Sequence, residues 1–216
     1  MSTVLPTAKD LIILVADLDA ENALLGLLGR HQSLRTRPIT YDIRRHPGRD
    51  SGCRTEGCDF LRTFCRQYRH AIWLFDHEGS GREQQAAPTV EKDLSDQLSI
   101  NGWGDRASCI VIVPELEAWV WSESSAVDEV LGWTRLADLR GWLRDEKWLA
   151  DGEVKPSRPK EALLAALKEV GKKSTASLFR KLAEKVSFQN CQDHSFNRLV
   201  TALQTWFPAP APEDHS

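Results

Sequence analysis

Carboxylates recur in this chain directly after short apolar runs. AIWLFDHEGSG (71–81) is an apolar run ending on Asp76 and Glu78 and broken at Gly79 and Gly81. LIILVADLDAEN (11–22) ends on Asp17, Asp19 and Glu21, and CIVIVPELEAW (109–119) leads to Glu115 and Glu117. Converging carboxylates repel one another, so they either take up protons or are neutralised by a cation. A ligand set made only of oxygen selects hard ions, Mg2+ or Mn2+, which keep bound waters and engage substrate phosphates. Metal-assisted phosphodiester chemistry uses an acidic bowl of this kind. Asp17, Asp76, Glu78 and Glu117 are the candidate metal-ligating and catalytic residues. Taken singly, each acid also suits the first turn of a helix, where it complements the helix dipole; three in the same context favour a site.

Other chemistries find less support. No G-x-x-x-x-G-K-[ST], G-x-G-x-x-G or G-x-S-x-G occurs, so neither a phosphate-binding glycine loop nor a nucleophile elbow is expected. His77 lies between two acids, but neighbours on an extended segment point oppositely, which favours a structural place for it. Cys53, Cys58 and Cys65 match no zinc spacing and read as free thiols. Arginines crowd one segment, and Arg44, Arg45 and Arg49 are candidates for phosphate-backbone contacts with DNA or RNA. The later basic residues, Lys160 among them, are interleaved with Glu161, Glu169 and Glu184 and read as a solvated surface.

The elements that must position these residues follow from hydrophobic period. Runs 11–16, 38–43, 71–75 and 109–113 predict strands, and 20–29, 59–68 and 90–98 predict helices between them. The alternation implies an α/β fold with a mostly parallel sheet flanked by helices. HPGRDSGCRTEGC (46–58) reads as a loop from its glycines, proline and charges. Pro114 suits the first position of a helix carrying Glu115 and Glu117. Two residues apart on a helix diverge by about 200°, so both cannot face one ion unless Glu115 belongs to the turn. From 124 onward the strand pattern stops, and 138–148, 159–170, 174–186 and 196–206 predict amphipathic helices. The expected organisation is an α/β domain over 1–123, a helical C-terminal cap over 124–207 and a disordered tail over 208–216. Tryptophans 119, 121, 133, 142, 148 and 206 fit the core between sheet and cap, or a partner interface.

Composition sets outer bounds. With 216 residues, 41% hydrophobic and 27% charged, the chain suits a globular domain that buries a core. No apolar run reaches the roughly 20 residues that span a membrane. The start, MSTVLPTAKD, lacks the order of a signal peptide, and five cysteines form no disulfide framework, so a cytoplasmic setting is expected.

VADLDAEN, HPGRDSGC, FDHEGSGRE, GWGDRAS, PELEAWVWSES, PKEALLAAL and CQDHSFNRLVTALQTWF, in that order, resemble a bacterial family of small Toprim-like proteins linked to anti-phage defence. That family includes a component of the methylation-associated defence system. The resemblance implies a Toprim-like fold in which a strand-end glutamate and an Asp-x-Asp pair hold Mg2+ for strand cleavage or phosphoryl transfer. Asp76 and Glu78 would stand in for the pair, Asp17 lies near the place of the glutamate, and Glu117 could supply a replacement carboxylate. It also implies partner subunits of ATPase or methyltransferase type, beside which the chain would be either the metal-dependent effector or a non-catalytic scaffold.

Overall fold

The computed structural model describes residues 7–122, 124–133, 138–188 and 191–210. Four strands, β1 (Lys9–Val15), β2 (Tyr41–Arg45), β3 (Tyr68–Asp76) and β4 (Ala107–Ile112), form one parallel sheet in the order β2-β1-β3-β4. Between them run α1 (Leu18–Leu28), a short α2 (His31–Leu34), α3 (Arg49–Arg62) and α4 (Ala87–Leu98), the last continued by a π-type turn at Ser99–Trp103. A 3-10 turn, Leu116–Trp119, follows β4. Then come α5 (Ser125–Leu131), α6 (Leu139–Asp145), α7 (Pro159–Glu169), α8 (Ala176–Lys185) and α9 (His194–Trp206). The fold is thus α/β, with an all-parallel sheet flanked by helices.

Strands β1, β3 and β4 carry unbroken apolar runs because a parallel sheet is covered on both faces, whereas the edge strand β2, YDIRR, is half-buried to exposed. Alternate residues divide between two cores. Leu11, Ile13, Val15, Ile72, Leu74, Ile110 and Ile112 join α1 and the C-terminal helices. Ile12, Leu14, Trp73, Phe75, Cys109 and Val111 join α3 and α4. The chain steps from β1 to β2, then reverses across β1 to β3, and a reversal of direction puts the crossover helices on opposite faces. That leaves α1 and the short α2 as the crossover helices on their face; Ile72, Leu74, Ile110 and Ile112 share that core with Leu199, Leu203, Phe207 and their neighbours.

Helix α3 begins well inside the segment whose glycines and charges predicted a loop. Its buried residues are Cys53, Gly57, Cys58 and Leu61, mostly small ones, set against the fully buried indole of Trp73. Gly57 is there for close approach and not for a turn: a β-carbon on it would come within 2.6 Å of Trp73 Nε1. Small inner-face residues carry little hydrophobic signal, so periodicity revealed only the last turn of this helix within the expected 59–68, whose remainder is a turn leading into β3 at Tyr68. The helix expected from Pro114 is a single 3-10 turn, with a cis peptide between Val113 and Pro114.

At the far end Pro208 bridges antiparallel to Thr36, and Arg37 N–H donates to Phe207 O (3.1 Å). The rest of the expected tail, 211–216, lies outside the described residues. Among the described residues no helix is long and apolar enough to cross a membrane. Cys53, Cys58 and Cys65 are buried free thiols.

Gly57→Ala should push Trp73 and α3 apart. The expected loss is about 1–3 kcal/mol in urea unfolding, the scale of overpacking a core. An unchanged midpoint would show that α3 does not rest on Trp73 as described.

Candidate metal centre

In a sheet of this order the switch point lies between β1 and β3, and ligands bind outside the strand ends there. Val15 is paired with Leu74, so two residues further on Asp17 and Asp76 leave the sheet side by side. The strand ending in Asp76 is next to β4, whose continuation carries Glu115 and Glu117. Asp76, Glu115 and Glu117 each offer a carboxylate oxygen within 4.8 Å of the others. Among the described residues this is the one group of His, Cys, Asp or Glu side chains placed to hold an ion.

The short turn after β4 solves the problem of facing. Glu115 is extended (φ −158°, ψ 170°) and precedes the 3-10 turn that carries Glu117. The 200° divergence of a continuous helix therefore does not apply, and both carboxylates join Asp76. The indoles of the same segment anchor it elsewhere. Trp119 Nε1 donates to Ser195 Oγ (2.9 Å), and Trp121 Nε1 donates to Pro159 O (3.0 Å).

Asp17 caps α1, its Oδ1 accepting from Ala20 N–H at 2.9 Å. Asp50, in the first turn of α3, accepts the backbone N–H of Asp76 at 3.1 Å. Neither belongs to the three-carboxylate group, but both press their charge on Asp76. Burial, then Asp50, Glu117 and Asp17, push the Asp76 carboxyl well above the ordinary range, against a hydrogen bond from the backbone of Leu116. Burial and the charge of Asp17 raise Asp50 and Asp19 as well, although Lys160 opposes the shift in both. Glu117 is pushed up to about 7, first by burial and then by Glu115 and Asp19, with Lys160 working the other way.

Glu115 and Glu117 are only 5% and 7% exposed. Lys160 Nζ donates to Glu115 Oε2 at 2.9 Å. Burial works to lower the Lys160 pKa, but that bond and the charges of Glu117, Glu115 and Asp76 outweigh it and hold the ammonium above its ordinary range. Glu117 has no such partner: among the described residues no other side chain bonds to it, and its hydrogen bond comes from its own amide. A buried carboxylate without a bonded counter-charge is costly unless a proton or a cation joins it. The donor set is all oxygen, which fits Mg2+ or Mn2+.

Of the four residues expected from sequence, Asp76 and Glu117 meet, and Asp17 stands beside them. Glu78 does not join: β3 stops at Asp76, the chain turns through His77 and Gly79 (φ 79°), and Glu78 is exposed. Its backbone N–H donates to Pro114 O at 2.9 Å, so it braces the loop. His77 Nε2 is taken up by Gln85 O (2.9 Å). Asp50 and Lys160 were not singled out from sequence, because each becomes relevant only through a contact distant along the chain. Arg44 and Arg49 are exposed and make no ion pair among the described residues, while Arg45 pairs with Glu21 at 2.7 Å. Arg44 and Arg45 end β2, which is parallel to β1, and Arg49 opens α3 next to Asp50, so all three lie toward the strand ends that hold the carboxylates. No protein-family model, curated protein or solved structure matches this chain, and what the centre can do follows from its own residues.

The folded state holds a proton on Glu117 up to about pH 7, whereas the unfolded chain releases it near its ordinary 4.5. Stability of the metal-free protein should therefore be highest below about pH 4.5 on this account and fall as pH rises to about 7. Glu117→Gln should flatten that slope and raise stability near pH 8 by roughly 1–3 kcal/mol. Melting curves across this range test it; a variant less stable than the parent near pH 8 would mean that the carboxylate is compensated.

Proposed function

We propose that this chain is a Mg2+- or Mn2+-dependent phosphoryl-transfer enzyme, a nuclease, with Asp76, Glu115 and Glu117 as the primary metal ligands and Asp17 beside them. The observation that carries this reading is the buried Glu117 carboxylate, bonded to no other side chain among the described residues, within 4.8 Å of two others at the end of a parallel sheet. A bound divalent ion would supply Lewis acidity and an activated water. The chain's own residues hold the centre in place: the α1 cap fixes Asp17, Asp50 holds the backbone of Asp76, and the loop after β3 is pinned where Arg54 Nε donates to Ser80 O at 2.6 Å. Arg44 and Arg49, toward the same strand ends and unpaired among the described residues, suit the phosphates of DNA or RNA.

A Toprim-like classification, with the helices after 124 as a cap, and a place in cytoplasmic anti-phage defence beside an ATPase- or methyltransferase-type subunit rest on the sequence resemblance alone. The departure from that pattern is specific. Glu115 and Glu117 take the place beside Asp76 that the second acid of the pair, Glu78, would fill.

Asp76→Asn should weaken Mn2+ binding, read by calorimetry, by more than about tenfold, since changes even outside the ligand shell cost that much. Metal-dependent cleavage of nucleic acid should fall with it. Cleavage that survives in Asp76→Asn combined with Glu117→Gln would sink the enzyme reading. Separately, Arg44→Ala with Arg49→Ala should weaken nucleic-acid binding and reduce its salt slope by roughly one for each phosphate no longer neutralised; an unchanged slope would remove these arginines from the interface.

A further inference from the structure

Lys160 is the second residue of α7, and its backbone and its head group are held very differently. Pro159, Ala162 and Leu163 are buried, and Pro159 O accepts the indole N–H of Trp121 at 3.0 Å, so the first turn of the helix is fixed. The side chain itself is 52% exposed, with Nζ 2.9 Å from Glu115 Oε2. Neighbouring cations are occupied elsewhere: Lys155 pairs with Asp193 at 2.8 Å, and Arg158 lies over Trp148 and pairs with Glu161 at 3.3 Å. Among the described residues, Lys160 is the one lysine or arginine that pairs with a carboxylate of the metal centre.

An ammonium is a point charge on a flexible stem, with three donors that can be re-aimed without moving the backbone. A divalent ion bound through Glu115 would sit next to that ammonium and repel it. The repulsion has an outlet, because the side chain is half open to solvent while its helix is anchored. Released from Glu115, the ammonium remains at the mouth of the bowl. A phosphate oxygen of a substrate bound to the ion would present negative charge there.

We infer that Lys160 is a substrate-anchoring residue that exchanges partners: Glu115 in the metal-free protein, and the phosphate group of a nucleotide ester once a divalent ion is bound. The exchange breaks one charge-assisted hydrogen bond and forms another, and no covalent bond changes. It rests on the metal-dependent reading above and adds to it the residue that selects an anionic phosphate ester.

The test uses the full chain with Lys160→Gln and Lys160→Arg. Calorimetry first measures Mn2+ binding; thymidine 5′-monophosphate and a short single-stranded oligonucleotide are then titrated into the Mn2+-loaded proteins. Lys160→Gln should bind Mn2+ at least as tightly as the parent, since a competing cation is gone. It should lose roughly tenfold or more in affinity for one or both phosphate ligands, the scale of one charged hydrogen bond, and the ligand affected tells whether a monoester or a diester is recognised. Lys160→Arg should keep most of that affinity. Phosphate binding unchanged in Lys160→Gln overturns the inference while leaving the metal centre standing. Loss of Mn2+ binding in Lys160→Gln overturns it too, because the lysine would then only be holding Glu115 in place. If the parent chain binds no Mn2+, the metal reading itself fails, and this inference with it.

Discussion

Like charges brought together out of water are the condition around which this molecule is arranged. Asp76, Glu115 and Glu117 share a space of 4.8 Å, and Asp17 and Asp50 add their fields to it. At that range, with water largely excluded, repulsion between carboxylates is far stronger than at a surface. The protein answers it piecemeal. Lys160 compensates Glu115, the N-terminal ends of α1 and α3 receive Asp17 and Asp50, and backbone N–H groups of Ala20 and Asp76 hydrogen-bond to those two. Among the described residues Asp76 and Glu117 are left without a bonded counter-charge, and both carboxyls are raised.

A parallel sheet is the natural way to create such a condition, because all its strands end on the same edge. The same topology leaves half of one face bare, since only α1 and the short α2 cover it from within the strand-bearing part. The C-terminal helices close that face over Ile72, Leu74, Ile110 and Ile112. Burying four such side chains is worth about 6–12 kcal/mol. In closing it they also complete the site. The contacts that seat α7 and α9, Trp121 on Pro159 O and Trp119 on Ser195, also orient the segment holding Glu115 and Glu117 and bring in Lys160. Core and centre are consequently one unit: loosening the C-terminal helices would disturb the electrostatics as well as the packing.

Strands β1, β3 and β4, and the acids that follow them, were legible because a doubly covered strand must carry an apolar run that then breaks. Asp76, Glu117 and the neighbouring Asp17 follow from that alone. Glu78 shows the limit of the rule. Spacing of two keeps residues on one face only while the chain stays extended, and β3 ends at Asp76. Glu115 shows the reverse, since it faces the site because the following residues form a short 3-10 turn in place of a helix. Asp50 was hidden in a segment whose glycines suggested a loop, because the fit of Gly57 to Trp73 is not encoded in local propensity.

By itself the sequence determined which strands exist, that their ends are acidic, and that an oxygen-ligated ion would suit them. These are local consequences of period and side-chain chemistry. Only the tertiary structure decided which acids meet, that Lys160 reaches Glu115 from 45 residues away, and that, among the described residues, Asp76 and Glu117 are left without a bonded cation. Charge compensation depends on distance and on exclusion of water, and neither exists until separate elements have packed.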